Sequence, residues 1–322
     1  MTLTAPPQQA LAEVAAAPAR PGRQPRRRRS AGSTRTLISA VDLNRHRVAY
    51  VVAVTVTMLV FTAAFLYPMY WMVTSALKTP VEFAQSTPTL IPESWHPENY
   101  STAWTNMRIG KFFVNTVYYA LGGWLIQLTV CVLVAYALSK LRPIFGRIVL
   151  GAMLASLMLP AAALLVPAYL TVADVPIFGW NLLNTPWALW LPAAANAFNV
   201  YVLKRFFDQI PDDLLDAAAI DGAGRLRVLW SIVLPLSRPV LGVVSIFAII
   251  GIWKDFLWPL LVLQNPETQT LSVALSRLAN TSQVPQTEFV AGLVIASVPM
   301  IVIFLIFQRS IIGGLSAGSM KG

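Results

Sequence analysis

Apolar residues run along most of this chain in unbroken stretches, far longer than one strand or the stripe of one amphipathic helix. Residues 48–77 carry no charge over 30 positions, and residues 112–138 carry none over 27. Residues 148–173 and 175–203 are parted only by Asp174, and residues 289–308 supply 20 more positions. A further stretch, 239–264, is interrupted by Lys254 and Asp255, but both of its flanks are wholly apolar. A hydrocarbon layer about 30 Å thick takes about 20 residues of helix at about 1.5 Å each. Without water to pair the backbone N–H and C=O groups, such stretches must be helical. The alternation of a membrane barrel is absent. The pattern therefore predicts an all-α polytopic membrane protein with six transmembrane helices, the first kinked at its outer end by Pro68.

Composition agrees. Of 322 residues, 56% are hydrophobic and 12% charged, about half the charged fraction of a soluble domain. Two soluble domains, which the length would allow, are excluded because there is too little polar surface to cover them. Cys131 is the only cysteine, which excludes a disulfide framework. The first apolar stretch begins near residue 48 and is too long for a cleaved signal peptide, so it reads as a retained span.

Charge then orients the spans. Nineteen of the 24 Lys and Arg lie before the first span, in the second and fourth connections, or after the sixth span, whereas the acidic residues divide evenly between the two sides. Lys and Arg set orientation and acids contribute little, so both termini are expected in the cytoplasm. The same distribution accounts for the net charge of +10 without nucleic acid. Residues 1–47, rich in Pro, Ala and Arg, read as a disordered basic cytoplasmic tail, with Arg26 to Arg29 read as a topology anchor resting on anionic lipid headgroups and nucleic-acid binding as the alternative. Residues 48–309 form the six-helix domain, and 310–322 a cytoplasmic C-terminal tail.

Three connections carry further information. Residues 78–108, on the external side, hold Pro, Trp and Asn, with a short helix expected near 100–106. Residues 265–287, also external, are polar and too long for a tight turn; loops of that length are often functional. Asn99 and Asn280 head Asn-x-Ser triplets, but nothing else indicates a eukaryotic secretory route. On the cytoplasmic side, 204–239 contains a short amphipathic helix at about 211–223. Pro211 suits its first position, and Asp212 and Asp213 favour the first turn. Leu214, Leu215, Ala218 and Ala219 follow at helical spacing, and Gly222 and Gly224 end it. Ala217 to Ala219 form a small-residue face suited to close docking; the alternative is an ordinary interfacial helix.

Within that segment Asp216-Ala217-Ala218 is followed after three residues by Gly222, then after nine by Ile232-x-Leu234-Pro235. This resembles the signature of permease subunits of binding-protein-dependent ABC importers, written EAA-x3-G-x9-I-x-LP, with Asp216 in place of Glu. Within that group the chain is most similar to the smaller maltose-type subunit of the carbohydrate-uptake class. The stretches PTLIPESWHPENY, FVNTVYYA, LPLSRPVL, DFLWPLLVL and GGLSAGSMKG carry the likeness, which covers residues 49–322. The resemblance implies the type I ABC importer permease fold, in which the cytoplasmic helix is a coupling helix seated in a cleft of an ATPase subunit. Its docking set here would be Asp216, Ala217, Ala218, Gly222, Ile232, Leu234 and Pro235. It also implies a tail contact with the ATPase through Gly314, Ser316 and Gly318, and a loop, 265–287, that enters a binding protein.

The implied partners are a second six-helix permease subunit forming a heterodimer, two ATPase subunits, an extracytoplasmic sugar-binding protein, and the lipid of a bacterial plasma membrane. No cofactor or metal is expected on this chain; ATP and Mg would be bound by the ATPase. Indeed no Walker-type G-x4-G-K-[ST] run occurs, since Gly110-Lys111 is followed by Phe112. Asp255, Asn115 and Asn196 are polar positions inside apolar spans, candidates for pore or substrate contact or for interhelical hydrogen bonds. A permease for an amino acid, polyamine or phosphate is the alternative. A secondary transporter is further off, because no internal repeat is visible.

Overall fold

The computed structural model describes residues 47–279 and 284–319, with side chains described between 48 and 308 of these. The chain divides into two units, Met1–Ala64 and Phe65–Gly322. Helix α1, Arg47–Ala76, crosses the boundary. Its portion in the first unit presents only exposed side chains, largely Val, Ala and Thr, as a lipid-facing helix would. Pro68 sits inside this helix without ending it.

The second unit is built from helices. The end of α1 is closed by Asn99, whose Nδ2 donates at 2.9 Å to the carbonyl of Ala76, a group that a helix end leaves unpaired, and at 3.0 Å to that of Lys78 just beyond it. The short α2 (Pro80–Phe83) and α3 (Glu98–Asn106) follow. Then come α4 (Ile109–Tyr136), continued by π-wound residues Ala137–Leu141, α5 (Gly146–Ser156) and α6 (Ala161–Ala173). Next are α7 (Trp187–Ala194), α8 (Ala197–Phe207) and α9 (Asp212–Ile220). Helix α10 (Arg225–Leu236) has a π turn at Leu229–Val233. The last four are α11 (Arg238–Lys254), α12 (Leu257–Val262), α13 (Leu271–Ala279) and α14 (Gln286–Ser319). Among the described residues no strand forms beyond one bridge, Val175 to Trp180.

Three helices are alone long and apolar enough to cross a membrane: Val48–Ser75, Ile109–Leu141 and Gln286–Gln308. The remaining expected spans are broken. Helices α5 and α6 meet at 112°, and α10 and α11 at 84°; counting each bent pair as one span brings the total among the described residues to five, not six. The expected span at 175–203 begins only at Trp187. Residues 175–186 loop instead because Pro176 and Pro186 lack the donor a helix needs, and Gly179 and Asn184 take positive φ, 65° and 60°. That helix breaks again at Ala195–Asn196, and the stretch 239–264 breaks at Asp255–Phe256.

Helix α4 is the centre, packed by α7, α8 and α11. Gly122 and Gly123 let Trp190 and Ile252 approach its backbone, and Trp190 Nε1–H donates to the Tyr119 carbonyl at 3.0 Å. At one end of α4, Tyr136, Leu203, Phe207, Leu229 and Val233 form a buried cluster. Beyond residue 310, where a tail was expected, the backbone of α14 stays helical through Ser319. The surroundings of residues 309–319, including those of Gly314, Ser316 and Gly318, lie outside what is described, as do the tail at 1–46 and Asn280.

Candidate functional site

Helix α9 starts where Pro211, in an extended conformation, releases the chain from α8. It ends in a motif that depends on glycine. Gly222 adopts φ 77°, a conformation costly for residues with a Cβ. Gly222 N–H then donates to the Ala219 carbonyl at 3.0 Å and Ala223 N–H to that of Ala218 at 2.9 Å. This pair satisfies two of the carbonyls that the end of the helix leaves free. Gly224, extended, leads into α10, whose first carbonyl, on Arg225, accepts from the Tyr136 hydroxyl at 2.9 Å.

The motif residues divide by face. Ala218, Ile232 and Leu234 of the motif, with Leu215 and Ala223 beside them, pack against the buried cluster at the end of α4. Asp216, Ala217, Gly222 and Pro235 are exposed. Leu214, Ile220, Leu226 and Trp230 are exposed beside them, Ile220 at 87%. The result is a small acidic and apolar face on a short helix outside the apolar stretches. Asp216 makes no ion pair among the described residues. Pro235 lies just before the bend at Ser237 that joins α10 to α11.

Two carboxylates in this region have partners distant in sequence, and Asp208 also has Lys204 four residues before it. Asp212 takes Lys140 Nζ at 2.8 Å and Arg142 Nη2 at 3.0 Å. The Lys140 hydrogen bond and charge, with Arg142, hold the Asp212 carboxyl below its ordinary range. Burial alone would raise the carboxyl of Asp208. Hydrogen bonds from Lys204 and Ser139, with the charges of Lys204 and Arg205, bring it below its ordinary value instead.

The three polar span residues find partners within the chain. Asn196 caps α8, its Oδ1 accepting from Asn199 N–H at 3.0 Å. Asp255 stands where α11 stops, and its carboxylate lies near the backbone N–H groups of Phe256, Leu257 and Trp258, where α12 begins. Asn115 Nδ2 donates to the carbonyls of Glu267 and Gln269, both at 3.0 Å, and so pins the connection 265–287 onto α4. Several residues that the apolar pattern did not single out share this task. Tyr119 Oη donates to the Thr268 carbonyl at 2.8 Å, Thr116 Oγ1 accepts from Leu271 N–H at 2.8 Å, and Arg108 and Lys111 pair with Glu267. The one signal available was the crowding of Arg108, Lys111, Asn115, Thr116 and Tyr119 into the first turns of an otherwise apolar helix.

With this geometry in hand, likeness to known proteins is informative. Residues 127–315 match the family described as binding-protein-dependent transport system inner membrane component, a region that includes α9, the α10–α11 bend and the breaks at Asn196 and Asp255. The diacetylchitobiose uptake system permease protein of Streptomyces coelicolor is 32% identical over 269 residues, 82% of this chain and 87% of that one. The sulfoquinovosyl glycerol transport system permease protein of Agrobacterium fabrum is 32% identical over 80% of this chain and 89% of its own. The fold matches the crystal structure of a bacterial ABC transporter involved in the import of the acidic polysaccharide alginate. The TM-score is 0.72 at 24% identity, over 82% of this chain and 97% of that one. A helical membrane unit, a short helix closed by glycine outside its apolar stretches, and these likenesses agree: the chain belongs to the binding-protein-dependent transport system inner membrane components and is a permease subunit of an ABC importer.

Proposed function

We propose that this chain is a permease subunit of an ATP-driven sugar importer and that α9 is its coupling helix. The observation that carries the reading is the division of the motif. Ala218, Ile232 and Leu234 anchor the helix to the span ends, while Asp216, Ala217 and Gly222 are left exposed. A docking element needs both halves, one to receive a partner and one to pass its movement on. Asp216 would pair with a basic group or helix N-terminus of the ATPase. Ala217 permits close approach, Gly222 turns the chain away, and Pro235 sits at the bend through which α10 leads to α11. Sugar is favoured because the two relatives above are permeases for a saccharide and a glycosyl glycerol.

In this reading both termini are cytoplasmic, as the Lys and Arg distribution supports. A second permease subunit completes the pathway, two ATPase subunits bind ATP and Mg, and Gly314, Ser316 and Gly318 give the ATPase a second contact. A binding protein delivers the sugar to the external face, where the loop 265–287 meets it. The breaks in the spans belong to this mechanism, because irregular backbone at membrane depth is tolerated where it is covered by protein or lines an aqueous path.

Gly222→Asp tests the docking. Chain neighbours aside, no atom lies within 4 Å of a Cβ built at Gly222, so within this chain the substitution meets no packing obstacle and only the backbone strain of positive φ. It places a carboxylate in an interface, where an unpaired buried charge costs about 3–5 kcal/mol. The expected outcome is normal membrane insertion, loss of the ATPase subunits on purification, and loss of labelled-sugar uptake. Gly222→Ala, which adds only the strain of positive φ, about 1 kcal/mol, should keep both. A Gly222→Asp transporter that retains its ATPase and transports normally would remove α9 from the interface.

A further inference from the structure

Three elements meet beside the first turn of α9. The end of α4 is π-wound over Ala137–Leu141, with Arg142 N–H donating to the Ala137 carbonyl at 2.9 Å. Ser139 Oγ in this turn donates to Asp208 Oδ1 at 2.7 Å, and Lys204 Nζ holds the other oxygen of that carboxylate at 2.8 Å. Lys140 Nζ donates to the Ile210 carbonyl at 2.7 Å and to Asp212 Oδ1 at 2.8 Å, and Arg142 Nη2 closes on Asp212 Oδ2 at 3.0 Å. The Lys140 side chain is only 4% exposed. Separating Asp212 from it would leave a desolvated ammonium without its counter-charge, a costly state. The two cations therefore tie the start of α9 to the end of α4.

From that tie, helix runs without interruption back to Ile109, 33 residues in all and about 50 Å at the α-helical rise. Its other end is fastened by Asn115, Thr116 and Tyr119 to residues 267–271. A rigid element secured at both ends can carry a displacement from one end to the other. The broken spans cannot do this as directly, because each has a joint at its middle.

We propose that Asp212 is a positioning residue, clamping α9 to the end of α4 so that movement of the docked helix drives α4 as a strut and, through it, the loop 265–287. The clamp rests on the coupling-helix reading, but it is a different contact. Asp216 and Gly222 face the partner chain in that reading, whereas Asp212, among the described residues, engages Lys140 and Arg142 of its own chain. It also assigns Asp212 a role beyond that of a charge favourable to the helix dipole.

The test uses the complete transporter with its binding protein, reconstituted in vesicles, with ATP hydrolysis and labelled-sugar uptake measured on the same preparation. Asp212→Asn should keep the ATPase subunits and keep hydrolysing ATP. Sugar moved per ATP should fall by about fivefold or more, the scale of ordinary coupling between sites. Lys140→Gln and the exposed Arg142→Gln, which leave α9 untouched, should shift the ratio in the same direction. Asp212→Glu should restore part of it, and the exchange of Lys140→Asp with Asp212→Lys should restore more than either single change allows. A wild-type ratio in Asp212→Asn and Lys140→Gln overturns the clamp. Loss of the ATPase subunits from Asp212→Asn also overturns it, because Asp212 would then be a docking residue. Failure of the docking reading is seen separately, in a Gly222→Asp transporter that keeps its ATPase and its uptake.

Discussion

A Cβ at Gly122 would lie 2.3 Å from Cζ2 of Trp190, closer than any real contact. The ring is buried and tied by its N–H to the Tyr119 carbonyl, so it has little freedom to retreat. Gly122→Ala should therefore lower the unfolding midpoint in detergent, at a cost of about 1–3 kcal/mol as for other overpacked sites. Gly151→Ala, with no atom within 4 Å of the added carbon, should be neutral or stabilising, since alanine favours a helix over glycine by about 1 kcal/mol. Equal midpoints for the two variants would mean that Trp190 yields without loss. The same residue scale separates the two glycine roles. At Gly122 the missing side chain makes room, and at Gly222 it permits positive φ.

At the scale of elements, the joints in the spans matter most. Asn196 and Asp255 stand at the start of second half-helices, Asn196 accepting from the Asn199 N–H and Asp255 with its carboxylate near the N–H groups of Phe256 to Trp258. Asn196→Ala should cost about 1 kcal/mol, the usual value of an N-cap. At position 255 the acceptor matters more than the charge. Asp255→Asn should keep stability and uptake close to wild type, while Asp255→Ala loses stability. If Asp255→Asn instead abolished uptake with stability unchanged, the charge would be acting on substrate and the capping account would fail. The joints were only half legible beforehand. Pro176, Gly179 and Pro186 carry a local signal for the loop before α7, although the apolar run 175–203 reads as one span, whereas Asn196 and Asp255 read from sequence alike as pore or substrate contacts or interhelical bonds and not as caps.

For the whole molecule, the division of labour is the claim to test. The purified chain, free of partners, should hydrolyse no ATP, because all hydrolysis is assigned to another polypeptide. Reporters fused at either terminus should be active only when placed in the cytoplasm. Hydrolysis by the pure chain, or a terminal reporter active outside, would undo the proposed arrangement. The Lys and Arg distribution behind the second expectation is a property of the entire chain, carried by many connections at once and insensitive to where any one helix breaks.

Sequence alone determined the class of molecule, because burial in lipid demands long apolar helices and leaves no other use for such stretches. It also determined α9. Proline and glycine act on their own backbone, so Pro211 and Gly222 bound that helix without help from distant residues. Tertiary structure decided which polar residues meet. Asn115 and its acceptor on Glu267 are 152 positions apart, and Lys140 and Asp212 are 72 apart. No period or local propensity encodes such pairings. They exist because α4 is brought beside both connections by packing around Gly122, Gly123 and Trp190, and the electrostatic consequences at Asp212 follow from that packing alone.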